Sequence, residues 1–163
     1  MPMLDAYIPE GALSAEAERE LLAKLTDILL RNEGADPTNP AVRSIAWVFL
    51  HRPAAVFVAG EPAVEPHYRI VASVPEGQFD DERRQAMVEE VTEAVLDAEH
   101  GAHPRDPMRV WVFATEIPDG TWGGLGRINR LADIAGFALG DLDKGREYAE
   151  RRLAQRRAAE LVA

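Results

Sequence analysis

Pro2, directly behind Met1, carries the most unusual chemistry the chain could offer. A small second residue normally lets the methionine be trimmed, which would leave Pro2 with a free secondary amine. Free α-amino groups titrate near ~7.7–8.0. Shelter from water penalises the charged form and lowers that value, so an enclosed Pro2 would be a base at neutral pH. Methionine–proline starts also occur without any chemistry, because surroundings rather than identity make a base.

The other reactive types are arranged less tellingly. A carboxylate substrate would need cations. Arg127 and Arg130 follow a glycine-rich turn, Arg52 follows a strand, and Arg69 lies within one. Each by itself reads first as a solvated surface charge, and Arg127 is the leading candidate because it follows the aligned turn. Phe113 and Trp122 would serve as apolar walls or simply as core. His100 and His103, with Glu99 and Asp106, have loop-like spacing and no cysteine support, so no metal is expected. Gly123-Gly124-Leu125-Gly126 lacks the Gly-Lys-Ser/Thr ending of a phosphate loop and opens no helix after a strand, so no nucleotide cofactor is expected.

With 163 residues, 47% hydrophobic and 28% charged, the chain suits one globular domain. It has no cysteine, which excludes disulfides and thiolate chemistry. A net charge of −10 argues against a nucleic-acid surface. No apolar run reaches a membrane span and no secretion signal is visible, so a cytoplasmic protein is expected.

The elements that must hold Pro2 are written twice. Ile8-Pro9-Glu10-Gly11 recurs as Val74-Pro75-Glu76-Gly77, 66 positions on. The same offset carries Leu21, Leu25, Thr26, Leu29 and Leu30 onto Met87, Val91, Thr92, Val95 and Leu96. Trp47-Val48-Phe49 recurs as Trp111-Val112-Phe113 at an offset of 64. Alternation around Leu4, Ala6 and Ile8 predicts a strand, and Ser14 predicts the cap of a helix running to about Arg31. Ile45–Leu50, apolar on both faces, predicts a strand buried on both sides. The expected fold is α+β: duplicated β-α-β units (2–60 and 67–130) in a four-stranded mixed sheet with two helices on one face. A tail, 131–163, completes the single domain, with a surface helix over Arg146–Leu161 packed on a neighbouring subunit. The uncovered sheet face predicts self-association. In this alignment Pro2 falls on Tyr68, so only the first unit has the amine.

A duplicated unit opening on Pro2 resembles the tautomerase superfamily, which includes 4-oxalocrotonate tautomerase and the MIF-like proteins. Thr115-Glu116 followed by Gly120, Trp122 and Gly123-Gly124 resembles that family's ending. The two-copy length is most similar to the cis-3-chloroacrylic acid dehalogenase group. The resemblance implies a cofactor-free enzyme, a homotrimer, Pro2 as catalytic base or acid, and Trp122 as a pocket wall. The two arginines that flank the group's glutamate–glycine turn fall here on Pro75 and Gln78, which places Gln78 beside the substrate. Its first-helix histidine falls on Leu29, its last-strand tyrosine on Phe113 and its catalytic glutamate near Gly124. Efficient dehalogenation is therefore not expected.

The expected activity is keto–enol tautomerisation of a small enolisable keto acid, with Pro2 as general base. Arg127, Trp122, Phe113, Gln78, Arg130 and Arg52 are the expected substrate contacts. One alternative is a hydratase, dehalogenase or decarboxylase using protonated Pro2 as an acid. Another is a non-catalytic binding or assembly protein that keeps the fold.

Overall fold

The computed structural model describes residues 2–161, apart from the side chain of residue 160. β1 (Met3–Tyr7) leads into α1 (Ala15–Asn32), the short α2 (Pro40–Ser44) and β2 (Trp47–His51). A small hairpin, β3 (Phe57–Val58) and β4 (Glu61–Pro62), bridges to β5 (Tyr68–Pro75), α3 (Asp81–Ala98) and β6 (Val110–Ile117). A second hairpin, β7 (Gly123–Gly124) and β8 (Arg127–Ile128), precedes α4 (Leu131–Leu139) and α5 (Leu142–Glu160).

The main sheet has the order β2-β1-β5-β6. β1 and β2 are parallel, as are β5 and β6, while the central pair β1–β5 is antiparallel. Each parallel pair is joined through a helix, as parallel strands require. Met3 stands opposite Trp47 and Arg69 opposite Trp111, so the sequence repeat is also a repeat of register.

Local chemistry explains the helices. Ser14 Oγ accepts from the Ala17 amide at 3.1 Å and Asp80 from the Arg83 amide at 2.9 Å. Leu21, Leu25, Ile28 and Leu29 of α1 meet Met87, Val91 and Val95 of α3 and the even-numbered residues Leu4, Ala6, Ile70 and Ala72 of the sheet. The leucine, isoleucine, valine and methionine side chains among these contribute ~1.5–3 kcal/mol each when fully buried.

The opposite sheet face is open in the single chain. Trp47 and Trp111 are each 63% exposed, and Phe49 and Phe113 are also exposed. β2 is therefore an edge strand with one uncovered face, not the doubly buried strand its sequence suggests. An all-apolar run reports the absence of polar residues, not what covers them.

The tail forms the expected surface helix, but it starts earlier than Arg146. α5 begins at Leu142, capped by Asp141, and docks on its own chain. It folds back on α4 where Gly145 meets Gly136 so closely that a Cβ on Gly145 would lie 2.4 Å from the Gly136 nitrogen. Arg152 then donates from Nε to the Gly77 carbonyl at 2.6 Å and from Nη2 to the Gln78 carbonyl at 2.9 Å. Arg156 pairs with Glu116 at 3.3 Å.

Candidate active site

Pro2 is buried just before β1, and the Trp47 amide donates to its carbonyl at 3.2 Å. It shares the alternation of Leu4, Ala6 and Ile8, whose side chains enter the helix-covered layer. There it borders a cavity of about 120 Å³. Apolar engineered cavities of about 150 Å³ hold a benzene molecule, so the space suits a small ligand.

Four segments make the walls. Val42 and Ile45 come from α2 and its end, and Pro75 from the end of β5. The tail supplies Leu131, Ile134, Ala135, Ala138 and Leu139. The turn after α1 adds Glu33, Gly34 and Ala35, with Gly34 at φ +85°, the left-handed conformation that ends a helix.

Four polar side chains, Glu33, Asn39, Gln78 and Tyr148, interrupt this surface. Glu33 is 7% exposed. Among the described residues none bonds or pairs with its carboxyl; burial pushes that carboxyl up to about 7, against the opposing pull of the amino-terminal charge. Gln78 is 5% exposed; its Oε1 accepts from the Tyr148 hydroxyl at 2.7 Å, while its Nε2 is buried without a partner. Asn39 also borders the space, but it is engaged with the Ala41 amide and the Ala138 carbonyl. Among the described residues lining the cavity there is no arginine or lysine.

The second unit shows the same place filled. Glu99 caps α3 as Glu33 caps α1. The Tyr68 hydroxyl, at the position of Pro2, donates to Glu99 Oε1 at 2.9 Å. Arg109, at the position of Ile45, grips the same carboxylate through both Nη atoms at 2.6 and 2.5 Å. Burial alone would raise the Glu99 carboxyl, but bonds from Arg109 and Tyr68 outweigh it and hold it below the ordinary value. Glu99 is thus an ion-pair partner, and His103 bonds Glu65 at 2.5 Å; among the described residues no cluster of three or more His, Cys, Asp or Glu could hold a metal.

Of the residues the sequence points to, the cavity brings together Pro2 and Gln78. Arg130 reaches Asp119 at 2.9 Å, although the next residue, Leu131, is a wall. Arg127 and half-buried Trp122 lie in the region of the β7–β8 hairpin, outside the lining. Phe113 lies on the open sheet face beneath the Arg69 guanidinium, 5.4 Å from its ring centroid. Arg52 is at the far end of β1, bonded to Glu18 at 2.5 Å and to the Ile8 carbonyl at 3.3 Å. Six residues along a strand separate it from Pro2 by about 20 Å. Glu33 and Tyr148 were not anticipated. The offset of 66 that puts Pro2 on Tyr68 also puts Glu33 on Glu99, and that was the available signal. Nothing in the sequence pairs Tyr148 with the Pro75–Gln78 turn.

The arrangement is a two-unit α+β fold with a buried proline at the mouth of its first strand, bordering a mostly apolar cavity. Solved structures share this fold. Pt0534 inactivated by 2-oxo-3-pentynoate is 23% identical with a TM-score of 0.63, over 78% of this chain and 94% of that one. Native fused 4-OT is 21% identical with a TM-score of 0.63, over 77% and 94%. N1, a member of the cis-3-chloroacrylic acid dehalogenase family, is 23% identical with a TM-score of 0.59, over 77% and 82%. Fused 4-OT has been solved as symmetric and asymmetric trimers. At these identities the likeness shows the fold, that of the tautomerases and of the fused dehalogenase-like group. No protein-family model and no curated sequence matches the chain.

Proposed function

We propose that this protein is a cofactor-free isomerase that interconverts keto and enol forms of a small carbonyl compound, with the Pro2 amine as general base once Met1 is removed. The observation that carries this reading is the burial of Pro2 against an apolar cavity. Neutral Pro2 takes a proton from the carbon next to the carbonyl, and the resulting ammonium returns it to carbon or exchanges it. Apolar walls keep the base uncharged and the enol away from water. A keto acid, the substrate expected from sequence, would need a cation that the described lining does not supply. One structural relative, Pt0534, has been solved inactivated by 2-oxo-3-pentynoate, which supports an electrophile-sensitive site in this fold.

We read the working form as a homotrimer, because Trp47, Phe49, Trp111 and Phe113 leave an aromatic sheet face uncovered and because fused 4-OT forms trimers. The test of the function is ketonisation of a panel of enols by protein whose intact mass lacks Met1, beside Pro2→Ala. A loss of at least ~100-fold is expected, the usual scale of acid–base catalysis. Equal rates would remove the mechanism.

A further inference from the structure

The internal repeat singles out one more group. The two units place a carboxyl at the same helix end, yet only Glu99 has partners, the phenol of Tyr68 and the guanidinium of Arg109. At the corresponding positions the first unit has Pro2 and Ile45, and both border the cavity with Glu33. Exchange of a phenol for a proline and of an arginine for an isoleucine empties the space the ion pair fills. It leaves a carboxyl buried with no counter-charge side chain in the lining. Gln78 adds an amide Nε2 that is buried and unpartnered beside the same space.

We propose that Glu33 is the second catalytic group of this cavity: as a neutral acid it donates to the carbonyl oxygen of an uncharged substrate while Pro2 takes the α proton. This rests on the Pro2 reading above. The balance is simple. The C–H electron pair becomes the enol C=C bond, its proton goes to the Pro2 nitrogen, the carbonyl π pair takes the Glu33 proton, and the reverse step restores all three groups. Gln78 Nε2 is the second donor to that oxygen. A dry site stabilises developing negative charge with preorganised donors, and a buried carboxylic acid can be one of them.

The surroundings suit a neutral Glu33. The Pro2 amine and the Tyr148 phenol are the other titratable groups at the cavity, and Tyr148 is engaged with Gln78. Arg83 lies behind Gly34, where it donates to the Gln78 carbonyl at 2.9 Å. Glu90 is held on the outer side by Arg31 and Asn32. With no arginine or lysine in the described lining, a substrate carboxylate would be left without a counter-charge side chain.

The experiment follows α-proton exchange into deuterated water by NMR for two compounds of similar size, uncharged hydroxyacetone and anionic pyruvate. Wild type lacking Met1, Pro2→Ala, Glu33→Gln and Glu33→Ala are compared across pH, and the 13Cδ resonance of Glu33 is titrated in wild type. Hydroxyacetone should exchange at least ~10-fold faster than pyruvate. Glu33→Ala should lose ~100-fold or more. Glu33→Gln, which keeps a donor, should retain part of the rate and lose the fall in rate as pH rises through neutrality. The Glu33 resonance should titrate near neutrality. Pro2-dependent exchange that favours pyruvate, wild-type rates and pH profile in both Glu33 variants, or an ordinary carboxylate titration of Glu33 would overturn this inference and leave the Pro2 reading standing. Exchange that Pro2→Ala leaves unchanged, or no exchange by wild type, would overturn both.

Discussion

Glu33 and Glu99 close equivalent helices 66 residues apart, but Glu99 is clamped by Arg109 at 2.5 Å while Glu33 faces an apolar cavity beside Pro2. One duplicated unit thus provides both a structural ion pair and a site, and the difference lies in two partners. A buried carboxylate is tolerable when its charge is matched. Where the match is removed, burial makes the group hold its proton more tightly, and a protonated acid beside an amine can do chemistry.

The clamp in the second unit should be costly to break. Arg109 and Glu99 side chains are 4% and 2% exposed. Arg109→Leu strands the Glu99 carboxyl and should lower stability by ~3–5 kcal/mol in denaturant unfolding. A change within ~1 kcal/mol would mean that the pair contributes little.

Glu33 should make stability depend on pH in the opposite sense from a paired carboxylate. Its carboxyl is raised from 4.5 to about 7 in the folded state, so the folded chain holds the proton more tightly than the unfolded one. That contribution is complete below about 4.5 and is lost as pH rises through about 7. Glu33→Gln should therefore gain up to ~3 kcal/mol over wild type at pH near 8, with no such gain near pH 4. Parallel stability curves for the two proteins would contradict the assignment.

Ile45→Arg should rebuild the second unit's plug in the first. A guanidinium there can reach Glu33 as Arg109 reaches Glu99, which fills the cavity and holds the carboxyl ionised. The variant should keep its circular-dichroism spectrum and lose activity by ~100-fold or more. Full activity in a folded Ile45→Arg protein would place the chemistry elsewhere.

The tail should matter to the site through one contact. A side chain on Gly145 would meet Gly136 at 2.4 Å and the Ala132 carbonyl at 2.6 Å. Gly145→Val should therefore spread α4 from α5 and wet the Pro2 cavity, seen as faster amide exchange across Leu131–Leu139 with a fall in kcat. Unchanged exchange there would show that the helix pair absorbs the bulk.

Much of the scaffold was readable beforehand because repeated patterns leave repeated residues: the Pro-Glu-Gly turns, the helix stripes and the Trp-Val-Phe strands all reappear in register. Pro2 was readable because its chemistry depends on position in the chain. Glu33 was not, since an acid at a helix end looks like solvated charge until the burial around it is known. Arg127, Arg130 and Arg52 drew notice as cations near turns, but spacing does not reveal that Asp119 and Glu18 already hold two of them. The docking of α5 through Tyr148 and Arg152 joins residues 70 to 75 positions apart through backbone carbonyls and a side-chain amide, contacts with no periodic signature.

The most direct measurement is a 15N titration of Pro2 in the mature protein. The account predicts a free secondary amine that is uncharged at pH 7, with a midpoint below the ~7.7–8.0 of an ordinary α-amino group. An amide nitrogen, which would mean that Met1 is still attached, or an amine that stays protonated well above pH 8, would contradict it.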